Sequence, residues 1–228
     1  MVGERGLIIA IDGPVGAGKS TAARLLAARL GYRHVDTGAM YRALALKALR
    51  GGVDWGDGLG LRALLERMDI AFVPGPDGQR LRVDGEDWTE AIRQPAVDRG
   101  ASLVSVHPPV REVMVARQRA LGAGGEIVMD GRDIGTQVFP AADVKFYLDA
   151  SPEARARRRH AEAVARGERV SLEAVRGEVL SRDQRDMGRV AAPLTAAPDA
   201  MRLDTTSLPP EAVLEAMLAV VRERQRRG

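Results

Sequence analysis

The stretch Leu7–Gly31, LIIAIDGPVGAGKSTAARLLAARLG, decides the fold. Its apolar, β-branched opening, Leu7 to Asp12, ends at Gly13 and Pro14, as a buried strand does on entering a tight loop. GPVGAGKS, Gly13 to Ser20, then fits G-x-x-x-x-G-K-[ST] in full. KSTAARLLAARLG reads as a helix, with Ala22, Leu25, Leu26, Arg29 and Leu30 near one face and Gly31 as a stop. In such a loop Gly13, Gly16 and Gly18 let backbone N–H groups converge on phosphate oxygens, and the helix N-terminus favours negative charge. Lys19 reaches the terminal phosphates and the Ser20 hydroxyl can hold Mg²⁺. The run Gly13, Pro14, Val15, Gly16, Ala17, Gly18, Lys19, Ser20 and Thr21 is therefore assigned to a nucleoside triphosphate. The loop identifies a triphosphate site but not its use, since GTPases, motor ATPases and small-molecule kinases share it.

Outward from this stretch, YRHVDTG reads as a second strand and AMYRALALKALRGG as a second helix. Strand, glycine-rich loop, helix and strand make a βαβ unit and predict an α/β fold with a largely parallel sheet flanked by helices. From Val53 to about Pro95 the texture changes, and IAFV and RLRVD look like a hairpin within a small αβ insertion. A helical pattern returns over Val97–Leu121, broken near HPPV. EIVMDG and VKFYLDA are two more core strands, AMRLDT a last one, and Pro209–Arg227 a closing helix. The whole of 1–228 is expected to form one domain.

Of 228 residues, 45% are hydrophobic and 29% charged, a soluble globular composition, and the lack of cysteine excludes disulfide scaffolds and thiolate chemistry. No export signal or membrane span is visible, so a cytosolic location is expected. The net charge of +3 is modest, but of 34 basic residues only Lys19, Lys47 and Lys145 are lysine. Arginine's planar fork suits phosphate, which makes its clusters candidate anion sites.

Three clusters stand out: DTGAMYR with Arg42, VMDGRD with Asp130, Arg132 and Asp133, and SLEAVRGEVLSRDQRDMGR, Ser171–Arg189. In the last, Leu172, Val175, Val179, Arg182, Asp186 and Arg189 follow one helical stripe that changes from apolar to charged without changing phase. A solvated helix end with an Arg182–Asp186 pair is the alternative reading. In a parallel α/β sheet the carboxyl ends of strands share one edge, so Asp36, Thr37, Asp130, Arg132 and Asp133 should gather beside the loop. That suits a second phosphate-bearing molecule meeting the γ-phosphate of ATP, with guanidinium groups offsetting the repulsion. A phosphate monoester, with a second pKa of about 6, is already a nucleophile near neutral pH, so no general base is obligatory. His34, His107 and His160 make no constellation and read as surface or packing residues.

IDGPVGAGKSTAARLLA, DTGAMYRALAL, VMDGRDIGTQVFP and SRDQRDMGR followed by APL closely resemble the bacterial cytidylate kinases, in order over nearly the whole chain. The resemblance implies ATP- and Mg²⁺-dependent phosphate transfer to CMP or dCMP, within a nucleoside monophosphate kinase fold. It implies a monophosphate-binding insertion at about 53–95 and a mobile, helical lid at about 154–170. It assigns acceptor phosphate to Arg42, Arg132 and Arg189, cytosine to Ser102, Arg111 and Asp133, and ribose to Asp186 with Arg182. Thr37, where the family often has serine, keeps a hydroxyl in the CMP site. Lys19, Arg132, Arg189 and Asp130 form the catalytic set, with Asp130 near the phosphates and magnesium, in direct or indirect contact. Gly188 departs from the family pattern but leaves Arg189 in phase. Independently of the family, a carboxylate plus an arginine complements the N4 donor and N3 and O2 acceptors of cytosine.

The rival readings are a P-loop kinase for another small acceptor such as UMP, AMP or shikimate, and a nucleotide-dependent switch. No N-K-x-D guanine-reading sequence supports the switch. A nucleic-acid binder using the tail RERQRRG is disfavoured, because aromatic residues at 4% leave little for base stacking. The expected partners are small-molecule nucleotides, with no nucleic acid and no membrane, and the expected state is a monomer.

Overall fold

All five residues of β1 (Ile8–Asp12) are buried, as an apolar run in the interior of a sheet, with a strand neighbour on either side, requires. The computed structural model describes residues 6–75, 78–189 and 191–227. After β1 come α1 (Lys19–Leu30), β2 (Arg33–Asp36), α2 (Thr37–Gly51), α3 (Gly58–Arg67), β3 (Ile70–Gly75), β4 (Gly78–Val83) and β5 (Glu86–Asp87). They are followed by α4 (Pro95–Val104), α5 (Pro108–Gly122), β6 (Ile127–Asp130), β7 (Val144–Asp149), α6 (Pro152–Ala165), α7 (Leu172–Met187), β8 (Met201–Asp204) and α8 (Pro210–Arg227). The chain divides into two compact units, Met1–His34 with Gly124–Gly228, and Val35–Ala123.

The first unit is built on a five-stranded sheet in the order β2-β6-β1-β7-β8. Strands β6, β1, β7 and β8 pair in parallel, with Ile9 opposite Val128 and Val144, and Ile11 opposite Asp130 and Phe146. That register brings the carboxyl ends of β6 and β1 level, and Gly131 N–H donates to Ile11 O at 2.9 Å. Ile9, Ile11, Val128, Phe146 and Leu148 pack with Ala22, Ala23, Leu26 and Ala27 of α1 and Val213, Leu214, Met217, Leu218 and Val221 of α8. The inward face of α1 is thus Ala22, Ala23, Leu26 and Ala27. Arg29, expected on that face, is exposed and pairs with Glu215 at 3.5 Å. Small residues in that row let the helix approach the sheet closely.

The second unit packs Met40 and Leu44 of α2, Leu61 and Leu65 of α3, Leu81 and Val83 of β4, Val97 and Val104 of α4, and Val110 and Met114 of α5 into its own core. β3 and β4 form the expected antiparallel hairpin, extended by β5. Residues 53–95, over which the insertion was expected, fall within this second unit. Helix α2 also starts earlier than its apolar pattern suggested, because Asp36 caps it by accepting from Ala39 N–H at 3.0 Å.

The arginine-rich segment 154–170 begins within helix α6, whose inner side is packed. Ser151 caps α6, accepting from Ala154 N–H at 3.2 Å, and Arg155, Ala156 and Ala163 are buried. Burying Arg155 is possible because its charge is matched, as described below.

Candidate active site

The loop after β1 has the backbone its sequence requires. A Cβ at Gly13 would lie 1.9 Å from Leu148 O, and one at Gly16, where φ is 76°, would lie 3.0 Å from Arg155 Cβ and O. No other residue fits either position without moving backbone. Four successive loop carbonyls each accept a side-chain hydrogen bond. Lys19 Nζ donates to Pro14 O at 2.7 Å, Arg155 to Val15 O at 3.2 Å, Arg158 to Gly16 O at 3.4 Å and Thr205 Oγ1 to Ala17 O at 3.0 Å. With its carbonyls committed to side chains, the loop is left with its amides as the groups available to an anion.

Lys19 is almost fully buried. Burial holds its ammonium well below the usual lysine range, and Arg132 and Arg182 push the same way against the carboxylates of Asp130 and Asp12. Several cations close enough to disfavour one another's charge form a site whose natural occupant is an anion. Beside it, Ser20 Oγ donates to Asp130 Oδ2 at 2.7 Å. Both are hard oxygen donors, the kind that suits Mg²⁺, which takes one or two protein oxygens and completes its shell with water and phosphate. Among the described residues no cluster of three or more His, Cys, Asp or Glu could hold a metal by itself.

The VMDGRD motif is fixed to the loop by Asp12, the residue just before Gly13. Its carboxylate accepts from Ile134 N–H at 2.8 Å and from Gly135 N–H at 2.7 Å. Those amides open a single π-helical turn, Ile134–Val138, for which Asp133 is the N-cap residue. Burial lifts the Asp12 carboxyl to about 6, against the lowering by those two amides. Asp12 thereby sets where Arg132 and Asp133 stand relative to the phosphate loop, and Asp133 is itself buried.

Past its exposed first member, Leu172, the stripe on α7 turns inward. Val175 and Val179 are buried, and so is Asp186, at 1% exposure. Asp186 Oδ2 accepts from Arg132 Nε at 2.9 Å, and Oδ1 accepts from Arg189. Burial works against this carboxylate, but Arg132, Arg189 and Arg182 outweigh it and hold its pKa below the usual range. The surface ion pair Arg182–Asp186 was the alternative. Instead Asp186 is buried and hydrogen-bonded by two other arginines.

In the second unit, Thr37 is buried as the first residue of α2, and Arg42 pairs with Asp36 at 2.6 Å. Ser102 and Arg111 are buried and share a neighbour. Ser105 Oγ donates to Ser102 O at 2.9 Å, and Arg111 donates to Ser105 O at 3.4 Å and to the Tyr41 hydroxyl at 3.5 Å.

Sequence reasoning missed three groups here. His34 Nε2 lies 2.7 Å from Asp130 Oδ1, opposite the oxygen that takes Ser20. A lone histidine in a strand gives no periodic signal of such a contact. Arg155 and Arg158 were hidden in a run of like residues, and Thr205 follows β8 with nothing local to mark it. For Arg155, Arg158 and Thr205 the signal is position, on the segments that follow the carboxyl ends of β7 and β8.

A strand, a glycine-rich anion loop with a buried lysine and a second cluster of inward arginines together define a P-loop protein of the phosphotransferase kind. The family model described as cytidylate kinase matches residues 9–223, and the chain belongs to that family. It is 54% identical to a cytidylate kinase of Geobacillus thermodenitrificans over 97% of this chain and 99% of the relative. It is 50% identical to one of Geobacter sulfurreducens over 98% and 96%. Among solved structures, shikimate kinase from Acinetobacter baumannii in complex with shikimate has a TM-score of 0.49 at 15% identity, covering 96% of this chain and 95% of that one. At that level the likeness bears on neither substrate nor mechanism.

Proposed function

We propose that this protein transfers the γ-phosphoryl group of ATP to CMP or dCMP, giving CDP or dCDP and ADP. The observation that carries the reading is the pairing, in one compact unit, of the phosphate loop with the buried cluster of Arg132, Asp186 and Arg189. A switch protein needs only the first of these. The family membership names the acceptor class.

The donor's β- and γ-phosphates lie against the loop amides and the Lys19 ammonium, whose charge the arriving phosphates favour. Ser20 and Asp130 would hold magnesium, which supplies charge neutralisation on the donor phosphates. The acceptor's phosphate monoester meets Arg132 and Arg189, which offset the repulsion between two anions and need no reorganisation as charge shifts during transfer. That phosphate attacks as the dianion already present near neutral pH, so no side chain has to take a proton. The family resemblance assigns the ribose to Asp186 with Arg182. Thr37, Arg42, Ser102, Arg111 and Asp133 are assigned to the acceptor on the strength of the family resemblance. Segment 154–170 is read as a lid that excludes water from a transfer otherwise lost to hydrolysis.

No helix among the described residues is long and apolar enough to cross a membrane. A cytosolic monomer acting on free nucleotides is the reading adopted. The test is a coupled ADP-release assay with CMP, dCMP, UMP and AMP as acceptors. Turnover with CMP or dCMP well above the others supports the reading, and turnover with none of the four removes it.

A further inference from the structure

The motif RDQRDMGR contains a second carboxylate, Asp183, to which the acceptor reading gives no role. It lies on α7 between Arg182 and Asp186, yet it is turned to different company. Both its oxygens face one guanidinium: Arg155 donates to Oδ1 at 3.0 Å, and its other terminal nitrogen lies 2.7 Å from Oδ2. Both residues are more than nine-tenths buried. The same guanidinium reaches two further groups, Val15 O in the phosphate loop at 3.2 Å and Ala150 O just beyond β7 at 2.9 Å. One planar fork therefore joins three pieces of chain that are distant in sequence.

Chemistry restricts what this pair can do. A carboxylate fully engaged by a bidentate arginine has little capacity left for a ribose hydroxyl or a cation, and an arginine so neutralised is a poor phosphate ligand. Neither residue is arranged as a substrate contact. A buried ion pair is also a doubtful source of stability, since apolar residues of similar volume often serve as well, so a role in geometry is the better account. Its geometry is specific. Arg155 holds the carbonyl of Val15, within the loop that binds donor phosphate. Asp183 belongs to the rigid helix whose next turn presents Asp186, the partner of Arg132 and Arg189. Any shift of α7 that follows acceptor binding is passed to the loop through these bonds, and the reverse holds by linkage. Lysine in place of Arg155 has one nitrogen and could not span all three partners.

We propose that Asp183 is a positioning residue which, through Arg155, ties the donor phosphate loop to the helix bearing the acceptor stripe, so that donor and acceptor affinities are coupled through this pair. The inference rests on the proposed function, because it takes the loop as the donor site and the stripe as part of the acceptor site. It also places the root of the 154–170 segment: Arg155 is fixed, so movement of a lid pivots beyond it.

The experiment is calorimetric titration of the full chain with ADP, alone and with saturating CMP. In the wild type CMP should change the ADP dissociation constant by at least about fivefold, the low end of common coupling energies. Asp183→Asn and Arg155→Lys, each checked for folding by circular dichroism, should reduce that factor to less than about twofold while ADP still binds. Asp183→Glu, which keeps the charge on a longer arm, should recover part of it and stands in should Asp183→Asn fail to fold. A merely structural role would lower the melting temperature and leave the coupling factor of the folded protein as it was. Coupling unchanged in folded variants, or absent in the wild type, overturns the proposal. Failure of the wild type to bind ADP at all sinks the functional reading instead.

Discussion

Arg132 Nε donates to Asp186 Oδ2 at 2.9 Å, which closes a gap of 54 residues and joins the two arginine-bearing motifs into one buried cluster. Because Asp186 is held below the usual carboxylate range, its contribution to stability is present above the unfolded pKa near 3.8 and is lost as pH falls through the folded value. Asp186→Asn should leave Arg132 and Arg189 without their counter-charge. The cost is of the order of 3–5 kcal/mol, the usual price of breaking a buried pair by removing one partner. Urea unfolding at pH 7 checks the size. Titration below pH 4 checks the sign, because the wild type should lose its advantage over the variant there.

Asp12 gives the opposite pH dependence in a different window. Its folded carboxyl, lifted to about 6 by burial, holds a proton more tightly than the unfolded chain does at 3.8. Its contribution is therefore full below 3.8 and is lost as pH rises through 6. Asp12→Asn removes the titration while keeping one acceptor for the amides of Ile134 and Gly135. Between pH 5 and pH 7.5 the wild type should lose about 1 kcal/mol relative to the variant, measured by urea midpoints. Parallel stability curves across that range would show that the carboxyl titrates normally.

Lys19→Ala should lower kcat by more than about a hundredfold, the scale of removing one fixed transition-state donor. The side chain is buried and donates to Pro14 O, so a loss of stability should accompany the loss of rate. Kinetics on protein shown to be folded separate the two effects. Near wild-type turnover would remove the loop from the mechanism.

Legibility in the sequence followed the range of the interactions. The phosphate loop and β1, β6 and β7 are local patterns, and each is found where its pattern put it. The stripe on α7 could be read as inward-facing because helical phase is also local. The bounds of the second unit could not, because they depend on Met40, Leu44, Leu65 and Met114 meeting across more than seventy residues. The arginine run after Ser151 carries no local sign of which side chain turns inward, since burying a guanidinium is costly until a partner is known. For Arg155 that partner is Asp183, 28 residues on, together with Val15 O, 140 residues back. His34 was passed over for the same reason, as its contact with Asp130 exists only once β2 takes its place in the sheet.

Beyond Arg155 the helix α6 and the turn that follows it carry few buried side chains. If this stretch closes over bound nucleotides, amide hydrogen exchange in residues 157–170 should slow when a bisubstrate analogue binds. Protection that is equal with and without the analogue would mark the segment as rigid and end its assignment as a lid.

The last expectation concerns the base. Asp133 is buried at the head of the π-helical turn, one residue from Arg132, and the family resemblance assigns it to cytosine. A carboxylate that accepts from cytosine N4 should reject uracil, whose O4 is itself an acceptor and would face it with no proton between. A good pair of this kind discriminates by about 1–3 kcal/mol, or roughly ten- to a hundredfold. Asp133→Asn keeps the shape and supplies an amide that can turn to donate. The value of kcat/KM should then fall for CMP and fall less, or rise, for UMP. Damage passed on to Arg132 would slow both acceptors alike and cancel in their ratio. The CMP:UMP ratio of specificity constants is therefore the quantity to measure, and an unchanged ratio in folded Asp133→Asn would take Asp133 out of base recognition.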